Sequence, residues 1–432
     1  MCLRQKACVF YVEIWRRLIG VGVKYVVILA DGMADYPCAA LGGKTPLEYA
    51  QTPFMDELAR RGLLGLVKTV PDGLPPGSDV ANLSVLGYNP CDCYTGRAPL
   101  EAASIGVKLR PGDVAFRCNL VTLSEGDLFA ARVMLDYSAG EITSAEAQEL
   151  IAAVQARLGS SNIRFYPGVS YRHLMVWRSG PVETALTPPH DITGQAIGEY
   201  LPKGPGSEVL LKLMMESANF LSDEPANKRR VGKGQKPANS IWFWGQGLRP
   251  QLALFRDKFG LVGCIIAAVD LIKGIGAIAG MRVPVVPGAT GNINTNFRGK
   301  AAAALKELSG GADFAFIHIE AADEAGHQGD LETKVRAIED IDTKVLGEVL
   351  AGLKENFPEW RVMVLPDHPT PLTVRTHTAE PVPFMIADSR VDLSGTEENI
   401  FSEKSAKNAG LSIGEGWKLL PYFLGSLRKK GR

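Results

Sequence analysis

Short apolar runs alternate with helical patterns toward both ends of this chain. Residues 24–30 (KYVVILA) are typical of a buried strand. Residues 52–62 are typical of a helix that has a threonine cap at Thr52, proline in its first turn and glycine after its end. Further strand-like runs occupy residues 240–244, 262–267, 314–319 and 361–365. Helical patterns accompany them at residues 298–308 and 331–353. This alternation predicts an α/β fold, with a doubly wound, mostly parallel sheet covered by helices on both faces.

The middle of the chain has a different pattern. From residue 116 to residue 187 the strand-like runs are shorter and more polar, and one amphipathic helix is predicted at residues 143–158. With 432 residues the chain has room for more than one domain. We therefore expect a main domain of residues 24–115 and 188–432, interrupted by a smaller α+β domain of residues 116–187. The polar, basic segment 222–237 is predicted to be a mobile surface loop.

Charge and cysteine content narrow the functional classes. Lys plus Arg and Asp plus Glu both number 47, so no net field draws the chain to nucleic acid or to an anionic membrane. No apolar run reaches the ~18 residues of a membrane span. The seven cysteines lack a zinc-type or redox-type spacing, which is typical of reduced thiols in the cytoplasm. Residues 1–23 are expected to be an N-terminal extension from an early start codon and not a secretory signal, because charged residues interrupt the apolar run.

Ionisable residues follow several strand-like runs, at the sheet edge where open α/β folds bind ligands. Asp31 comes directly after the first run, and Gly32 lets the chain turn away; alone, this pair indicates only a turn. Asp367 and His368 come just after the last run. His377 follows nine residues later in a loop rich in proline and threonine. These four ionisable side chains are candidate ligands.

A second set of candidate ligands follows the run at residues 314–319. Asp323 and His327 are four residues apart, so on a helix they present a carboxylate and an imidazole on one face, able to share a cation. His318 and Glu320 are expected to be supporting or core groups. Asp323 and His327 alone would suit a solvated helix face. Four of the six histidines, however, fall in this segment and in the segment of Asp367 to His377, and the two segments together predict a metal site. Such mixed ligands suit Mn²⁺, Zn²⁺, Co²⁺ or Mg²⁺, and two such ions suit phosphoryl transfer.

The stretch GLPPGSDVAN places a serine, Ser78, at the start of a predicted helix. The simplest interpretation is a helix cap, with proline and glycine setting the turn before it. The alternative is a nucleophile, because a metal ion can activate a serine hydroxyl without a histidine base. A helix start also favours a phosphoryl group through its backbone N–H groups. The predicted metal site favours the nucleophile.

These motifs occur in a recognisable order. The segments ADGMAD, PGSDVANLSVLGY, YTGRAPLEAASIGV, HIEAADEAGHQGD and PDHPTP, followed by THT, resemble those of the archaeal-type 2,3-bisphosphoglycerate-independent phosphoglycerate mutases of the alkaline phosphatase superfamily. The resemblance covers the chain from residue 24 onward. It implies an alkaline-phosphatase-like domain, an inserted domain that closes over the substrate as a lid, and two divalent cations, with Mn²⁺ favoured.

The same resemblance implies roles for individual residues. It assigns seven side chains to two cation sites: Asp31, Ser78, Asp367 and His368 to one, and Asp323, His327 and His377 to the other. Ser78 is implied to be the nucleophile, transiently phosphorylated, and Lys273 in DLIKGIG to support the phosphoryl group. The implied reaction is the interconversion of 3-phosphoglycerate and 2-phosphoglycerate without 2,3-bisphosphoglycerate.

The phosphate and carboxylate of such a substrate call for arginine forks and other polar groups. The candidate substrate-binding residues are Arg97, Arg117, Arg172, His173, His190 and Asp191. The expected partner is thus a small phosphoglycerate molecule, with neither nucleic acid nor a membrane. A homo-oligomer is left open.

Two alternatives stand beside the mutase. A homoserine kinase-like phosphotransferase or a phosphohydrolase would reuse the same metals and serine, and the substrate domain should separate these activities. The other alternative is a metal-binding structural or regulatory module that has lost its chemistry. Against it, every predicted ligand position and Ser78 carry chemically competent side chains.

Overall fold

The computed structural model of the chain describes residues 22–391 and 400–425. Within these ranges the chain divides into two compact units, one formed by residues up to 94 together with residues from 252 onward, the other by residues 95–251. Of the predicted N-terminal extension, residues 1–21 lie outside the described residues. None of the helices in the described ranges combines the length and the apolar character needed to cross a membrane.

The secondary-structure elements are numbered in chain order. The strands are β1 (Lys24–Ala30), β2 (Leu63–Val67), β3 (Asp113–Leu123), β4 (Met134–Asp136), β5 (Ile163–Tyr166), β6 (Arg172–Arg178), β7 (Ser240–Leu248), β8 (Gly263–Ile266), β9 (Phe314–Ile319), β10 (Trp360–Leu365), β11 (Val382–Asp388) and β12 (Ser412–Ile413). The α-helices are α1 (Pro46–Tyr49), α2 (Pro53–Arg61), α3 (Ser78–Val85), α4 (Pro90–Cys93), α5 (Ala98–Ser104), α6 (Ser144–Leu158), α7 (Ser207–Ala218), α8 (Pro225–Gly232), α9 (Phe255–Phe259), α10 (Asp270–Ile278), α11 (Phe297–Ser309), α12 (Ala321–Gln328), α13 (Leu331–Ile341), α14 (Gly347–Asn356), α15 (Glu403–Asn408) and α16 (Leu419–Leu424). A π-helical turn, Asp342–Leu346, joins α13 to α14.

The first unit is built on one sheet with the strand order β12-β2-β11-β10-β1-β9-β8. The adjacent strands β10, β1, β9 and β8 are parallel, whereas β11 runs antiparallel to both of its neighbours. On one face, Val26 and Ile28 of β1 belong to a core shared with α2, α11 and α13. On the other face, Tyr25 packs edge-on against Phe423 of α16. The predicted α/β fold, with helices on both faces of the sheet, is confirmed.

The carboxyl ends of three parallel strands meet at one edge of this sheet. Leu29 of β1 lies opposite Leu365 of β10 on one side and opposite His318 of β9 on the other. Parallel register carries the residues that follow these positions to the same edge, where open α/β folds place their ligand sites. The sheet therefore brings together the three chain segments that the sequence singles out.

The second unit is built on an antiparallel sheet. Strand β3 pairs with β4, β6 and β7, and β6 pairs with β5. The amphipathic helix predicted at residues 143–158 is confirmed as α6. Thr143 and Glu146 begin this helix with a reciprocal capping box, in which each side chain accepts a hydrogen bond from the other residue's backbone N–H.

The placement of β7 differs from the sequence expectation. Residues 240–244 have the strand signal of the main sheet, yet β7 pairs with β3 in the second unit, where Trp242 lies opposite Asn119. Together with α5, which packs on β3, this pairing makes the second unit wider than the expected domain of residues 116–187. A buried apolar run predicts that a strand exists but does not determine which sheet receives it.

The prediction of a mobile surface loop at residues 222–237 is wrong. Residues 225–232 form α8, and its basic side chains meet carboxylates of α6: Arg229 lies 2.6 Å from Glu149, and buried Arg230 lies 2.8 Å from Glu146. Arg230 also donates a hydrogen bond to the carbonyl oxygen of Ala139 at 2.6 Å. These two arginines of the basic segment therefore pair with groups of the same unit, which composition alone does not reveal.

The start of α2 also differs from the expectation. Thr52 precedes the helix, but its side chain makes no capping hydrogen bond. The carboxylate of Asp342, in the π-helical turn, accepts hydrogen bonds from the backbone N–H groups of Phe54 at 3.2 Å and Met55 at 2.7 Å. A residue distant in sequence thus satisfies the unpaired donors of the first helical turn.

Substitution of Glu403 by glutamine should change how stability depends on pH. Glu403 accepts hydrogen bonds from the backbone N–H of Asp35 and the hydroxyl of Thr45, and burial raises its pKa to about 7 from an ordinary value of 4.5. The stability linked to its proton is fully present below the unfolded-state pKa and is lost as pH rises through about 7. The free energy of unfolding of Glu403→Gln minus that of wild type should therefore increase by about 1–3 kcal/mol as the pH is raised from 4 to 8.

Urea unfolding of both proteins at several pH values measures this difference. Glu355→Gln, an exposed substitution on α14, is the control for removal of a negative charge. If the difference in free energy of unfolding between Glu403→Gln and wild type stayed constant with pH, the raised pKa of Glu403 would be contradicted.

Candidate active site

Ser78 is the first residue of α3, and its hydroxyl lies beside ionisable side chains. The residue at the cap position is Gly77, and no side chain caps this helix. The Oγ atom of Ser78 lies 3.2 Å from Nε2 of His368 and 3.5 Å from Oδ2 of Asp31. The helix-cap interpretation of this serine is therefore wrong, because its hydroxyl faces ionisable side chains instead of backbone N–H groups.

The first group of candidate ligands is Asp31, Asp367 and His368, whose side chains are completely buried. Nε2 of His368 lies 3.6 Å from Oδ1 of Asp31 and 3.4 Å from Oδ2 of Asp367. Asp367 is held by hydrogen bonds from the backbone N–H groups of Gly32 and His368 and from Nδ2 of Asn82 at 2.9 Å. Its carboxylate is therefore fixed from three directions.

The second group is Asp323, His327 and His377. Asp323 and His327 lie on α12 as the spacing predicts, with Nε2 of His327 3.3 Å from Oδ2 of Asp323. Nε2 of His377 lies 3.4 Å from Oδ1 of Asp323 and 2.9 Å from Nε2 of His327. Nδ1 of His327 lies 3.1 Å from the carbonyl oxygen of Arg375, a residue in the left-handed region with φ of 59°. A backbone carbonyl on one ring nitrogen leaves the other to act as a ligand.

The electrostatics of these groups differ. Burial and the neighbouring carboxylates of Asp367 and Asp323 raise the pKa of Asp31 well above its usual range. Burial also acts to raise the pKa of Asp323, but hydrogen bonds from His327 and His377 outweigh it and hold that pKa well below its usual range. For His327, burial acts to lower the pKa, but the hydrogen bond and charge of Asp323 raise it to about 9. The site therefore favours positive charge beside Asp323.

The donor set fits divalent cations. Oδ1 of Asp31 is buried and makes no hydrogen bond within the described part of the chain. The Nε2 atoms of His327 and His377 face each other at 2.9 Å, so two lone pairs converge unless a cation or proton lies with them. Asp31, Glu320 and Asp323 form a further group that links the two sets. Carboxylates packed this closely are stable as anions only with counter-charge.

Several residues that support the site were not identified from the sequence as site residues. Asn82, one helical turn after Ser78, donates hydrogen bonds to the carbonyl oxygen of Ser78 at 2.8 Å and to Asp367. Thr370 lies between the two ligand groups. The signal for Asn82 was its position four residues after Ser78 on one helix face. His318, expected as a supporting group, is buried with its imidazole 3.0 Å from Asp31.

Lys273 is on α10, which packs against α3. Its Nζ atom lies 3.5 Å from the carboxylate of Asp270 in the same helix, and the side chain is 30% exposed. The structure therefore places Lys273 on a helix beside the serine helix, and its proposed contact with a phosphoryl group stays a prediction.

The second unit contains a cluster of three candidate arginines around one carboxylate. Buried Glu101 lies 2.9 Å from Nε of Arg117 and 3.0 Å from Nε of Arg97. The guanidinium of Arg117 stacks on the ring of Trp244 at 4.0 Å. Burial acts to raise the pKa of Glu101, but the charges of Arg117, Arg97 and Arg172 keep it below the usual value. One carboxylate among three cations leaves a surplus of positive charge, which suits an anionic ligand.

The remaining candidates are placed differently. His173 is buried, its Nδ1 accepts a hydrogen bond from the backbone N–H of Gly168 at 3.0 Å, and burial lowers its pKa to about 3. The ring of His190 packs edge-on against Trp244 at 5.1 Å, and Asp191 beside it is exposed. Arg172 is exposed and stacks on Tyr171. The geometry thus gives His173 a structural contact and leaves the roles of the other residues as predictions.

An α/β sheet that gathers a serine hydroxyl, three aspartates and three histidines beyond its parallel strands defines a candidate metal-dependent site of the kind used in phosphoryl transfer. Residues 59–227 match the family model described as 2,3-bisphosphoglycerate-independent phosphoglycerate mutase. A probable 2,3-bisphosphoglycerate-independent phosphoglycerate mutase from Geobacter sulfurreducens is 53% identical, over 93% of this chain and all of that protein. The chain therefore belongs to the 2,3-bisphosphoglycerate-independent phosphoglycerate mutases, as the motifs in its sequence indicate.

Solved structures agree with this assignment. A protein from Pyrococcus horikoshii is similar to this chain with a TM-score of 0.76 and 29% identity, over 95% of this chain and all of that one. The cofactor-independent phosphoglycerate mutase from Thermoplasma acidophilum is similar with a TM-score of 0.60 and 26% identity, over 93% of this chain and all of that one.

Proposed function

We propose that this enzyme interconverts 3-phosphoglycerate and 2-phosphoglycerate by passing the phosphoryl group through Ser78, without 2,3-bisphosphoglycerate. The observation that carries the proposal is the position of the Ser78 hydroxyl at the start of α3, facing Asp31 and His368. The names of the relatives in Geobacter and Thermoplasma support the substrate and the independence from 2,3-bisphosphoglycerate.

Two divalent cations would be held by the residues already described. Asp31, Ser78, Asp367 and His368 would hold one, and Asp323, His327 and His377 the other. When bound, such ions favour the ionised serine hydroxyl and offset the negative charge on the phosphoryl oxygens. The mixture of carboxylate and imidazole ligands suits Mn²⁺, Co²⁺, Zn²⁺ or Mg²⁺. Mn²⁺ is proposed among them because the family resemblance favours it.

The reaction exchanges one oxygen–phosphorus bond for another. In the first half, the Oγ–P bond of Ser78 forms as the O–P bond of the substrate breaks, and the serine proton passes to the departing substrate oxygen. In the second half, the other hydroxyl of the same glycerate forms its O–P bond as the Oγ–P bond of Ser78 breaks, and the proton of that hydroxyl returns to the serine oxygen. Asn82 fixes the serine backbone and Asp367 together, and the N-terminal end of α3 presents positive backbone potential to the phosphoryl group.

The second unit supplies the proposed substrate contacts. Arg117 and Arg172 are proposed to bind the phosphate or carboxylate of the substrate, and Arg97 shares the carboxylate of Glu101 with Arg117. A guanidinium held between a carboxylate and an aromatic ring loses little entropy on binding an anion. His190 and Asp191 are proposed to contact the glycerate hydroxyl groups.

A mutase assay coupled to enolase, with no added 2,3-bisphosphoglycerate, tests the function. We expect turnover of 3-phosphoglycerate that falls more than about 100-fold after chelation and returns with Mn²⁺, because the cations contribute several kcal/mol to the transition state. Phosphorylation of homoserine by ATP without mutase turnover would instead establish the phosphotransferase alternative. Release of inorganic phosphate as the main product would establish the hydrolase.

A cytoplasmic location is part of the proposal. The five cysteines within the described residues are all unpaired, which supports a reducing compartment.

A further inference from the structure

We propose that Thr370 is a positioning residue whose single hydroxyl orients ligands of both candidate cation sites. The inference rests on the proposed two-cation site and extends it to a side chain that is not itself a ligand. Thr370 follows His368 by two residues in the loop after β10 and is completely buried. It lies between the group that contains His368 and the group that contains Asp323.

The hydrogen bonds of Thr370 have one consistent direction. Its Oγ1 lies 2.5 Å from Oδ1 of Asp323 and 3.3 Å from Nδ1 of His368. A hydroxyl has one proton and two lone pairs, whereas an ionised carboxylate only accepts. The hydroxyl proton is therefore donated to Asp323, which leaves a lone pair of Thr370 to accept the Nδ1–H of His368.

This direction decides which nitrogen of His368 acts as a ligand. A neutral imidazole carries one N–H, and placing it on Nδ1 leaves the lone pair on Nε2. Nε2 is the atom that faces Ser78 at 3.2 Å and Asp367 at 3.4 Å. Histidines that bind metals commonly donate their other ring N–H to a nearby oxygen, which fixes both the tautomer and the ring orientation.

The backbone of Thr370 is itself held in place. Its N–H donates to the carbonyl oxygen of Ala34 at 3.2 Å, and its carbonyl oxygen accepts a hydrogen bond from Nζ of Lys334 at 2.8 Å. Gly326, between Asp323 and His327 on α12, packs so closely that a Cβ there would lie 2.5 Å from the carbonyl oxygen of Thr370. The hydroxyl is therefore preorganised between the two ligand groups.

Three variants separate the hydroxyl from the rest of the side chain. Thr370→Val keeps the branched shape and removes the hydroxyl, and Thr370→Ser keeps the hydroxyl. Thr373→Val is the matched control, because Thr373 is exposed in the same loop. Mn²⁺ is titrated into each metal-free protein by calorimetry, and the side-chain ¹⁵N shifts of His368 are recorded without metal at a pH where the ring is neutral.

We expect Thr370→Val to weaken Mn²⁺ binding at both sites by about 10–100-fold and to shift His368 away from the Nδ1–H tautomer. Thr370→Ser and Thr373→Val should stay within about threefold of wild type, with the tautomer unchanged. Wild-type affinity and an unchanged tautomer in Thr370→Val would overturn the inference. If that variant does not fold, Thr370→Ala replaces it under the same criteria.

These measurements do not depend on turnover. A wild-type enzyme that binds two Mn²⁺ ions but lacks mutase activity would refute the proposed function and leave the role of Thr370 intact. If wild type has mutase activity and Thr370→Val binds Mn²⁺ normally, the proposed function is supported and the role of Thr370 is refuted.

Discussion

Replacement of Ser78 by alanine is expected to lower mutase kcat/KM by about 10³-fold or more, because it removes the only atom proposed to accept the phosphoryl group. The Oγ atom lies 3.2 Å from His368 and 3.5 Å from Asp31, and the helix start needs no cap from it. The free energy of unfolding should therefore change little. If Ser78 had only a structural role, Ser78→Ala would instead alter the stability and leave turnover nearly normal.

Acid quenching with radiolabelled phosphoglycerate tests the covalent step directly. Wild type should retain label on Ser78, and Ser78→Ala should retain none. Ser84→Ala is the matched control, because Ser84 lies on the same helix and its buried hydroxyl makes no hydrogen bond among the described residues. Mn²⁺ stoichiometry should stay at two in Ser78→Ala, since Asp31, Asp367 and His368 remain. Ser78→Ala with activity within tenfold of wild type would remove the nucleophile assignment.

Local sequence patterns were sufficient to predict much of the site. The position of Asp31 after β1, the spacing of Asp323 and His327, and the adjacent Asp367 and His368 all depend on short segments whose strand or helix is encoded by periodicity. Parallel register then brings those segments together. Their roles as metal ligands remain predictions that the binding measurements address.

Contacts between distant segments could not be predicted in the same way. Periodicity identified residues 240–244 as a strand but could not specify β3 as its partner. The cap that Asp342 provides for α2, and the hydroxyl of Thr370 between two ligand groups, depend on side chains that meet only after folding. A single sequence encodes burial along each element far more clearly than it encodes which polar groups will pair across elements.

Replacement of Lys334 by methionine is expected to lower the free energy of unfolding of the metal-free protein by about 3–5 kcal/mol. Lys334 on α13 is completely buried, and its Nζ atom lies 2.6 Å from Asp35 while also donating to the carbonyl oxygen of Thr370. Methionine fills similar volume but leaves the carboxylate of Asp35 buried without its cation. Asp35 also accepts hydrogen bonds from the backbone of Leu372, so the loop that carries His368 and His377 should loosen with it.

The double variant Lys334→Met/Asp35→Asn tests why Lys334→Met is destabilising. It separates the loss of the attraction between Lys334 and Asp35 from the cost of leaving the Asp35 carboxylate buried without a cation. An asparagine oxygen can still accept from Leu372, so the double variant should be more stable than Lys334→Met alone. Lys344→Met is the control, since its pair with Asp340 is partly exposed and should contribute at most about 1 kcal/mol. Urea unfolding measures the stability of all three variants. Equal losses of free energy of unfolding in Lys334→Met and Lys344→Met would contradict a buried ion pair that holds the ligand loop.

The Mn²⁺ affinity of Lys334→Met should fall together with its stability. The reason is that α13, the segment after β1 and the loop after β10 meet at the ammonium group of Lys334.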